Sequence, residues 1–82
     1  MNILLIGAGS AIATAVARRY AANHSSLFLI ARNGSRLALQ QQDLLVRGAA
    51  RIGTRVLDLL NHEEHETAIN AATEFFGEDD ID

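Results

Sequence analysis

The sequence predicts an α/β fold in which three parallel strands, in the order 3-2-1, combine with three helices. Three observations predict it. Short apolar runs alternate with longer helix-like segments, glycine or asparagine lies at most of the turns between them, and the first turn consists almost entirely of small residues. Strands that alternate with helices form parallel sheets with right-handed crossovers. With 82 residues, the chain has room for one small domain, so we expect no domain boundary within it.

The sequence of the first half of the chain predicts two strands and one helix. Asn2–Ile6 is an apolar run that ends at Gly7, a pattern typical of a strand buried on both faces. A helix begins after Ser10, a good N-cap residue, and extends to about Asn23. The second strand is Leu27–Ala31. This order indicates a strand–helix–strand unit at the N-terminus.

The second half continues the alternation. A second helix runs from about Ser35 to Arg47, with Gly48 as the residue just past its end. The third strand is Arg51–Leu57. The expected order is therefore strand, helix, strand, helix, strand and a final helix.

Capping residues define the third helix. Asn61 is its expected N-cap, Glu64 completes a capping box, and Gly77 ends it. Helical spacing places the apolar residues of this segment on one face. That face is expected to be buried and consists of Ile69, Ala72 and Phe76, flanked by Ala68 and Phe75.

Composition excludes several classes of function. There is no Cys, which excludes disulfide scaffolds and thiolate metal sites and fits a cytoplasmic protein. The net charge is −3, and only one Tyr and three Phe are present, so we expect no nucleic-acid partner. The apolar N-terminal run is too short for a membrane span, and Arg18 and Arg19 lie on the wrong side of it for a signal peptide. We therefore expect no membrane partner.

The turn between the first strand and the first helix carries the most specific chemistry. It contains Gly7, Gly9, Ser10, Ala11 and Ile12. Small residues leave backbone N–H groups accessible, and the positive end of the helix dipole favours an anion such as a phosphate. The dinucleotide pattern G-x-G-x-x-G fits Gly7 and Gly9, but Ile12 occupies its third glycine position.

A second register of this turn resembles the T-G-x-x-x-G-[IL]-G motif of the short-chain dehydrogenase/reductase family. Gly7 takes the first glycine position and Ile12 the Ile/Leu position, while Ala11 and Ala13 replace the other two glycines. Ile6 replaces the threonine. The resemblance implies a partial Rossmann fold, in which residues 1–82 are the N-terminal half of a dinucleotide-binding domain.

The ends of the next two strands extend the resemblance. In Ala31–Arg32–Asn33, Ala31 stands where the family has an acidic residue for the ribose 2′-hydroxyl, and Arg32 can bind a 2′-phosphate instead. Leu57–Asp58–Leu59 resembles the family's adenine-binding strand end. The implied cofactor is NADP(H). The residues implied to hold it are Gly7, Gly9, Ser10, Ala11 and Ile12 at the pyrophosphate, Arg32 and Asn33 at the adenosine phosphate, and Asp58 and Leu59 at the adenine.

No catalytic residue is assigned. The family's Asn-Ala-Gly turn, catalytic Ser and Tyr-x-x-x-Lys motif have no counterpart in these 82 residues, because Tyr20 lies in the first helix and the chain has no Lys. The resemblance implies the NADP(H)-binding segment of an oxidoreductase that transfers hydride to or from a carbonyl or alcohol. The alternative is a truncated, non-catalytic module that binds nucleotide or self-assembles.

Several of the singled-out residues also have simpler interpretations that involve no ligand. Arg32 could be a solvated loop arginine, and Asp58 could cap a turn. His62 and His65 fit a polar first helical turn better than a metal site, so no metal is expected. Arg51 and Arg55 are expected on a solvated face.

The first strand also predicts an association surface. Ile3–Ile6 would form an exposed apolar edge of a three-stranded sheet, and such an edge invites pairing with another chain. We therefore expect either a longer protein or a homo-oligomer that buries this edge.

Overall fold

The computed structural model describes residues 1–7, 10–57, 63–77 and 81. Every strand and helix that the sequence predicts is present. The strands are β1 (Asn2–Ile6), β2 (Ser26–Ala31) and β3 (Arg51–Val56), and the helices are α1 (Ala11–Ala22), α2 (Gly34–Val46) and α3 (Glu63–Phe76). Gly48 and Gly77, the predicted helix-ending glycines, both have positive φ, at 117° and 66°. The predicted C-terminal signals of α2 and α3 are therefore confirmed.

The three strands form one parallel sheet in the order β1-β2-β3, with β2 in the centre. In the register of the sheet, Leu4 lies beside Phe28, and Phe28 lies beside Gly53. The predicted fold class, strand order and number of helices are confirmed.

One face of the sheet is covered by α1 and α2. Their contacts with β1, β2 and β3 enclose the larger core. Its residues alternate along the strands, since side chains in a strand point to opposite faces in turn. The buried members are Ile3, Ala17, Ala21, Leu27, Leu29, Leu37, Leu44, Ala49 and Ile52.

The other face is covered by α3, which crosses β2 and β3. The buried members of this second core are Phe28, Ile30, Ala68, Ala72 and Phe76. The sequence-based prediction for α3 was wrong at Ile69, whose side chain is 51% exposed. The line that faces the sheet has the spacing i, i+4, i+8 from Ala68, and Ile69 lies about 100° further round the helix.

Gly53 allows close packing between β3 and α3. A Cβ at this position would lie 2.6 Å from Phe75 and 2.7 Å from Phe28. The two rings meet over the glycine with their centroids 5.3 Å apart. The absence of a side chain at residue 53 is thus a packing requirement of the second core.

Arg51 joins the same contact. It is exposed, as predicted, but its guanidinium lies 4.4 Å from the centroid of the Phe75 ring and donates a hydrogen bond to the Phe75 carbonyl. A cation over an aromatic face is attracted by the ring quadrupole. Arg51 therefore holds the last turn of α3 against β3.

Asp43 links α1 and α2, the two helices on the face of the sheet opposite α3. Its carboxylate accepts hydrogen bonds from Arg18 of α1 at 3.1 Å and from Arg47 at 3.0 Å. These arginines, Arg47 foremost, lower the pKa of Asp43 below its ordinary value of 3.8.

Within the described residues, no helix is long and apolar enough to cross a membrane.

Gly53→Ala is expected to lower the free energy of unfolding by about 1–3 kcal/mol, because the added methyl overpacks the two phenylalanine rings. Urea unfolding followed by circular dichroism, at one protein concentration, measures the change. In a Phe75→Leu background the same substitution should cost less, since a smaller side chain gives the methyl room. Equal costs in the two backgrounds would contradict the proposed clash.

Asp43→Asn is expected to reduce stability near neutral pH and to have no effect in acid. A carboxyl whose pKa is lowered by folding stabilises the folded state above its unfolded pKa, and this contribution disappears as the pH falls below 3.8. Melting temperatures of the two proteins from pH 2 to 7 test this. A difference that is constant over that range would show that the ion pairs contribute nothing.

Candidate functional site

The predicted site residues that the structure describes lie at one edge of the sheet, where β1 and β2 end. Gly7 follows the last residue of β1, and Arg32 follows the last residue of β2. The Gly7 N–H donates a hydrogen bond of 2.8 Å to the carbonyl of Ile30. Since this bond continues the β1–β2 ladder, the turn after β1 begins directly beside the end of β2.

Gly7 makes a sharp turn that leaves open space beside it. Its φ is +75°, in the left-handed region that favours glycine, and a Cβ at this position would meet nothing within 4 Å. The Ser10 N–H donates to the Gly7 carbonyl at 3.2 Å and closes the turn. The contribution of Gly7 is therefore its backbone conformation and its open face, because its own N–H is bonded to β2.

Ser10 is the N-cap of α1, as predicted. Its backbone is extended and its hydroxyl accepts a hydrogen bond of 3.1 Å from the Ala13 N–H. The Ala11 and Ile12 N–H groups have no acceptor among the described residues. A helix leaves its first N–H groups without intrahelical partners. Within the described part of the chain, these two amides thus lie at the positive end of the helix dipole without an acceptor.

The departures from the glycine-rich motif are accommodated by the helix. Ala11 and Ala13 are both within α1, where alanine is the most favourable residue. Ile12 is 80% exposed, so its side chain is not part of either core. Ala11, Ile12 and Ala13 thus all lie in regular helix, while Ile6, in the threonine position, is the last residue of β1.

Arg32 is exposed at the end of β2 and has no carboxylate within 4 Å among the described residues. Its neighbour Asn33 is the N-cap of α2, because the Asn33 Oδ1 accepts a hydrogen bond of 3.1 Å from the Arg36 N–H. The helix consequently begins at Gly34, one residue before the predicted start at Ser35. The cap occupies the side-chain oxygen of Asn33 and leaves its NH₂ group as a donor.

Arg36 is a site-edge residue that sequence reasoning missed. It lies in the first turn of α2, is exposed, and has no carboxylate partner in the described part of the chain. The signal that could have found it is the N-x-x-R spacing at a helix start, in which the N3 amide bonds to the cap. Two arginines therefore flank the β2–α2 turn.

Three predicted site residues, Gly9, Asp58 and Leu59, lie outside the described residues, as does the predicted cap Asn61. The chain before Asp58 is described. The Leu57 N–H donates to the Ala31 carbonyl at 3.1 Å, so β3 ends at the same sheet edge as β2.

Among the described residues, no group of three or more His, Cys, Asp or Glu is arranged to hold a metal ion.

Comparison with solved structures finds a protein of the expected family. The chain is similar to a short-chain type dehydrogenase/reductase from Mycobacterium ulcerans, with a TM-score of 0.80 and 31% identity. The match covers 93% of this chain and 28% of that protein, so the chain spans less than a third of its length. No family profile and no curated protein matches the chain. The resemblance to part of a short-chain dehydrogenase/reductase that the sequence predicts is thereby confirmed.

Ser10→Ala is expected to destabilise the chain by about 1 kcal/mol, because the Ala13 N–H loses its acceptor. Ser35→Ala is the matched control, since Ser35 is exposed inside α2 and Asn33 supplies that cap. Urea midpoints of the three proteins give the comparison. The capping role would be refuted by equal shifts for both substitutions.

Proposed function

We propose that this chain, whose fold matches part of a short-chain dehydrogenase/reductase, binds NADP(H) and forms the adenosine-binding part of such an oxidoreductase. One observation carries the proposal. An exposed arginine without a carboxylate partner in the described chain, Arg32, follows β2 at the same sheet edge as the open turn at Gly7. In open α/β sheets, ligands bind in the crevice at the carboxyl ends of the strands.

The pyrophosphate is assigned to the start of α1. The Ala11 and Ile12 amides and the helix dipole favour negative charge there. The positive φ of Gly7 and the open space beside it support a close approach of the ligand to the backbone. In this proposal Gly7, Gly9, Ser10, Ala11 and Ile12 line the phosphate turn.

The 2′-phosphate is assigned to the β2–α2 turn. Arg32 supplies a planar guanidinium that binds phosphate oxygens in a bidentate manner. The Asn33 NH₂ group, left unused by the helix cap, is a second donor, and Arg36 adds positive charge one turn further on. A carboxylate at position 31 would repel this phosphate, but the residue there is the uncharged Ala31. The absence of that repulsion supports NADP(H) over NAD(H).

The adenine is assigned to Asp58 and Leu59, which follow the end of β3. Support comes from the β2–β3 ladder, which continues to Leu57 and so directs the chain to the same edge. An aspartate at that point accepts a hydrogen bond from the adenine amino group in the family that the chain resembles. This assignment rests on that resemblance.

The chemistry of the complete oxidoreductase is carried by the cofactor, whose nicotinamide gives or takes the hydride when it is bound. The residues of this chain bind and orient the adenosine half. A cytoplasmic location belongs to the same proposal and is supported by the absence of Cys.

Arg32→Ala is expected to weaken NADPH binding by about 10- to 100-fold, which corresponds to the 1.5–3 kcal/mol of a hydrogen bond to a charged group. NADH affinity should change less than about twofold, because NADH has no 2′-phosphate. Isothermal titration calorimetry with each nucleotide measures both. Arg19→Ala, an exposed arginine of α1, is the matched control. Equal weakening of NADPH and NADH by Arg32→Ala would overturn the assignment.

A further inference from the structure

We propose that Thr14 and Gln40 position the phosphate turn by holding the peptide group that joins Ser10 to Ala11. This inference rests on the proposed function, in which the Ala11 N–H binds the pyrophosphate, and it adds two residues that act through the backbone. A chain of two hydrogen bonds carries it. The Gln40 Nε2 donates to the Thr14 Oγ1 at 3.0 Å, and the Thr14 Oγ1 donates to the Ser10 carbonyl at 3.0 Å.

The direction of this chain of bonds follows from the hydrogens available. A threonine hydroxyl has one hydrogen to donate and two lone pairs with which to accept. The Ser10 carbonyl can only accept, so the Thr14 hydroxyl gives its hydrogen to Ser10 and accepts one from Gln40. Each bond in such a chain polarises the next, and the bond between the helices is partly buried, where water competes less.

The chain of bonds ends on the peptide group that bears a proposed phosphate donor. The Ser10 carbonyl and the Ala11 N–H belong to one planar unit, and the described chain has no cis peptide bond. In a trans unit the C=O and N–H point in opposite directions. The Thr14 N–H also donates to the Ser10 carbonyl at 3.0 Å, so two bonds hold this carbonyl along the helix. The Ala11 N–H is thereby directed out of the start of α1.

Gln40 connects this peptide group to the second arm of the site. It lies in α2, the helix that begins at the Asn33 cap beside Arg32. The next residue, Gln41, donates a hydrogen bond of 3.2 Å to the Ile52 carbonyl and so fastens α2 to β3. One glutamine therefore ties α2 to the sheet and the other ties it to the start of α1, which keeps the two proposed phosphate positions in a fixed relation.

A second link between the same helices lies further from the turn. Arg18, one helical turn beyond Thr14, pairs with Asp43 of α2 at 3.1 Å. This link joins α1 and α2 without reaching the Ser10–Ala11 peptide group. Breaking it loosens the same interface and leaves the Ala11 N–H in place, so an effect specific to Thr14 is separable from a general loosening of the two helices.

Thr14→Val tests the positioning role, because valine keeps the branched shape and removes the hydroxyl. NADPH binding, measured by isothermal titration calorimetry, is expected to weaken roughly three- to tenfold, as for the loss of one hydrogen bond. Binding of adenosine 2′-monophosphate, followed by NMR shift titration, should stay unchanged, since this ligand has the 2′-phosphate but no pyrophosphate. Thr14→Ser retains the hydroxyl and should restore NADPH binding. Asp43→Asn is the matched control and should leave both affinities unchanged.

Gln40→Met tests the other end of the chain of bonds. Methionine has a similar length and no donor, so NADPH binding should weaken about two- to fivefold. In a Thr14→Val background the same substitution should have no further effect, because the hydroxyl that accepts the bond is already absent. Additive losses would show that the two residues act separately and would contradict the proposal.

The outcomes distinguish a failure of this inference from a failure of the proposed function. Unchanged NADPH binding by Thr14→Val, in a protein whose NADPH binding Arg32→Ala weakens, would overturn the positioning role alone. Equal losses for Thr14→Val and Thr14→Ser, or a matching loss of adenosine 2′-monophosphate binding, would also overturn it, because a general structural role predicts both. A wild type that binds neither ligand would refute the proposed function and this inference with it.

Discussion

The structure depends on the burial of β2 between two helical layers. Its four central residues, Leu27 to Ile30, are all buried, two under α1 and α2 and two under α3. Each large apolar side chain contributes about 1.5–3 kcal/mol when it leaves water. The same strand positions the candidate site: the Ile30 carbonyl holds Gly7, and the chain that leaves Ala31 carries Arg32. β2 thus lies at the centre of both cores and also positions the candidate site. A change that tilts β2 would therefore move Gly7 and Arg32 together.

The elements of this fold could be predicted from the sequence because local signals and tertiary packing agree. An uninterrupted apolar run indicates a strand buried on both faces, and β2 is buried on both. Ser10, Gly48 and Gly77 adopt the capping roles that their chemistry favours. Prediction failed at Ile69, where helical periodicity allows several apolar arcs and only the position of α3 over β2 and β3 selects one. The role of Gly53 was equally hidden, since it depends on where two distant rings meet.

Half of the candidate site was open to prediction from the sequence and half required coordinates. The position of a turn or an arginine relative to a strand end follows from the chain order, so Gly7 and Arg32 could be placed at one edge. The sequence could not show which individual hydrogen-bonding groups already have a partner within the protein. The Gly7 N–H is bonded to β2 and the Asn33 oxygen caps α2, while the Ala11 and Ile12 amides remain without an acceptor among the described residues. The donors proposed to hold phosphate therefore shift from the first glycine to the first turn of α1.

The candidate site differs from other parts of the described chain in how its charges are partnered. Some charged groups of the described chain have partners: Asp43 has two arginines, and Arg51 has an aromatic ring. At the β2–α2 turn, Arg32 and Arg36 have no carboxylate partner among the described residues. Natural sequences violate local consistency mainly where function requires it. An anionic ligand at this turn would supply the negative charge that the described residues do not, which is the physical basis of the proposed phosphate site.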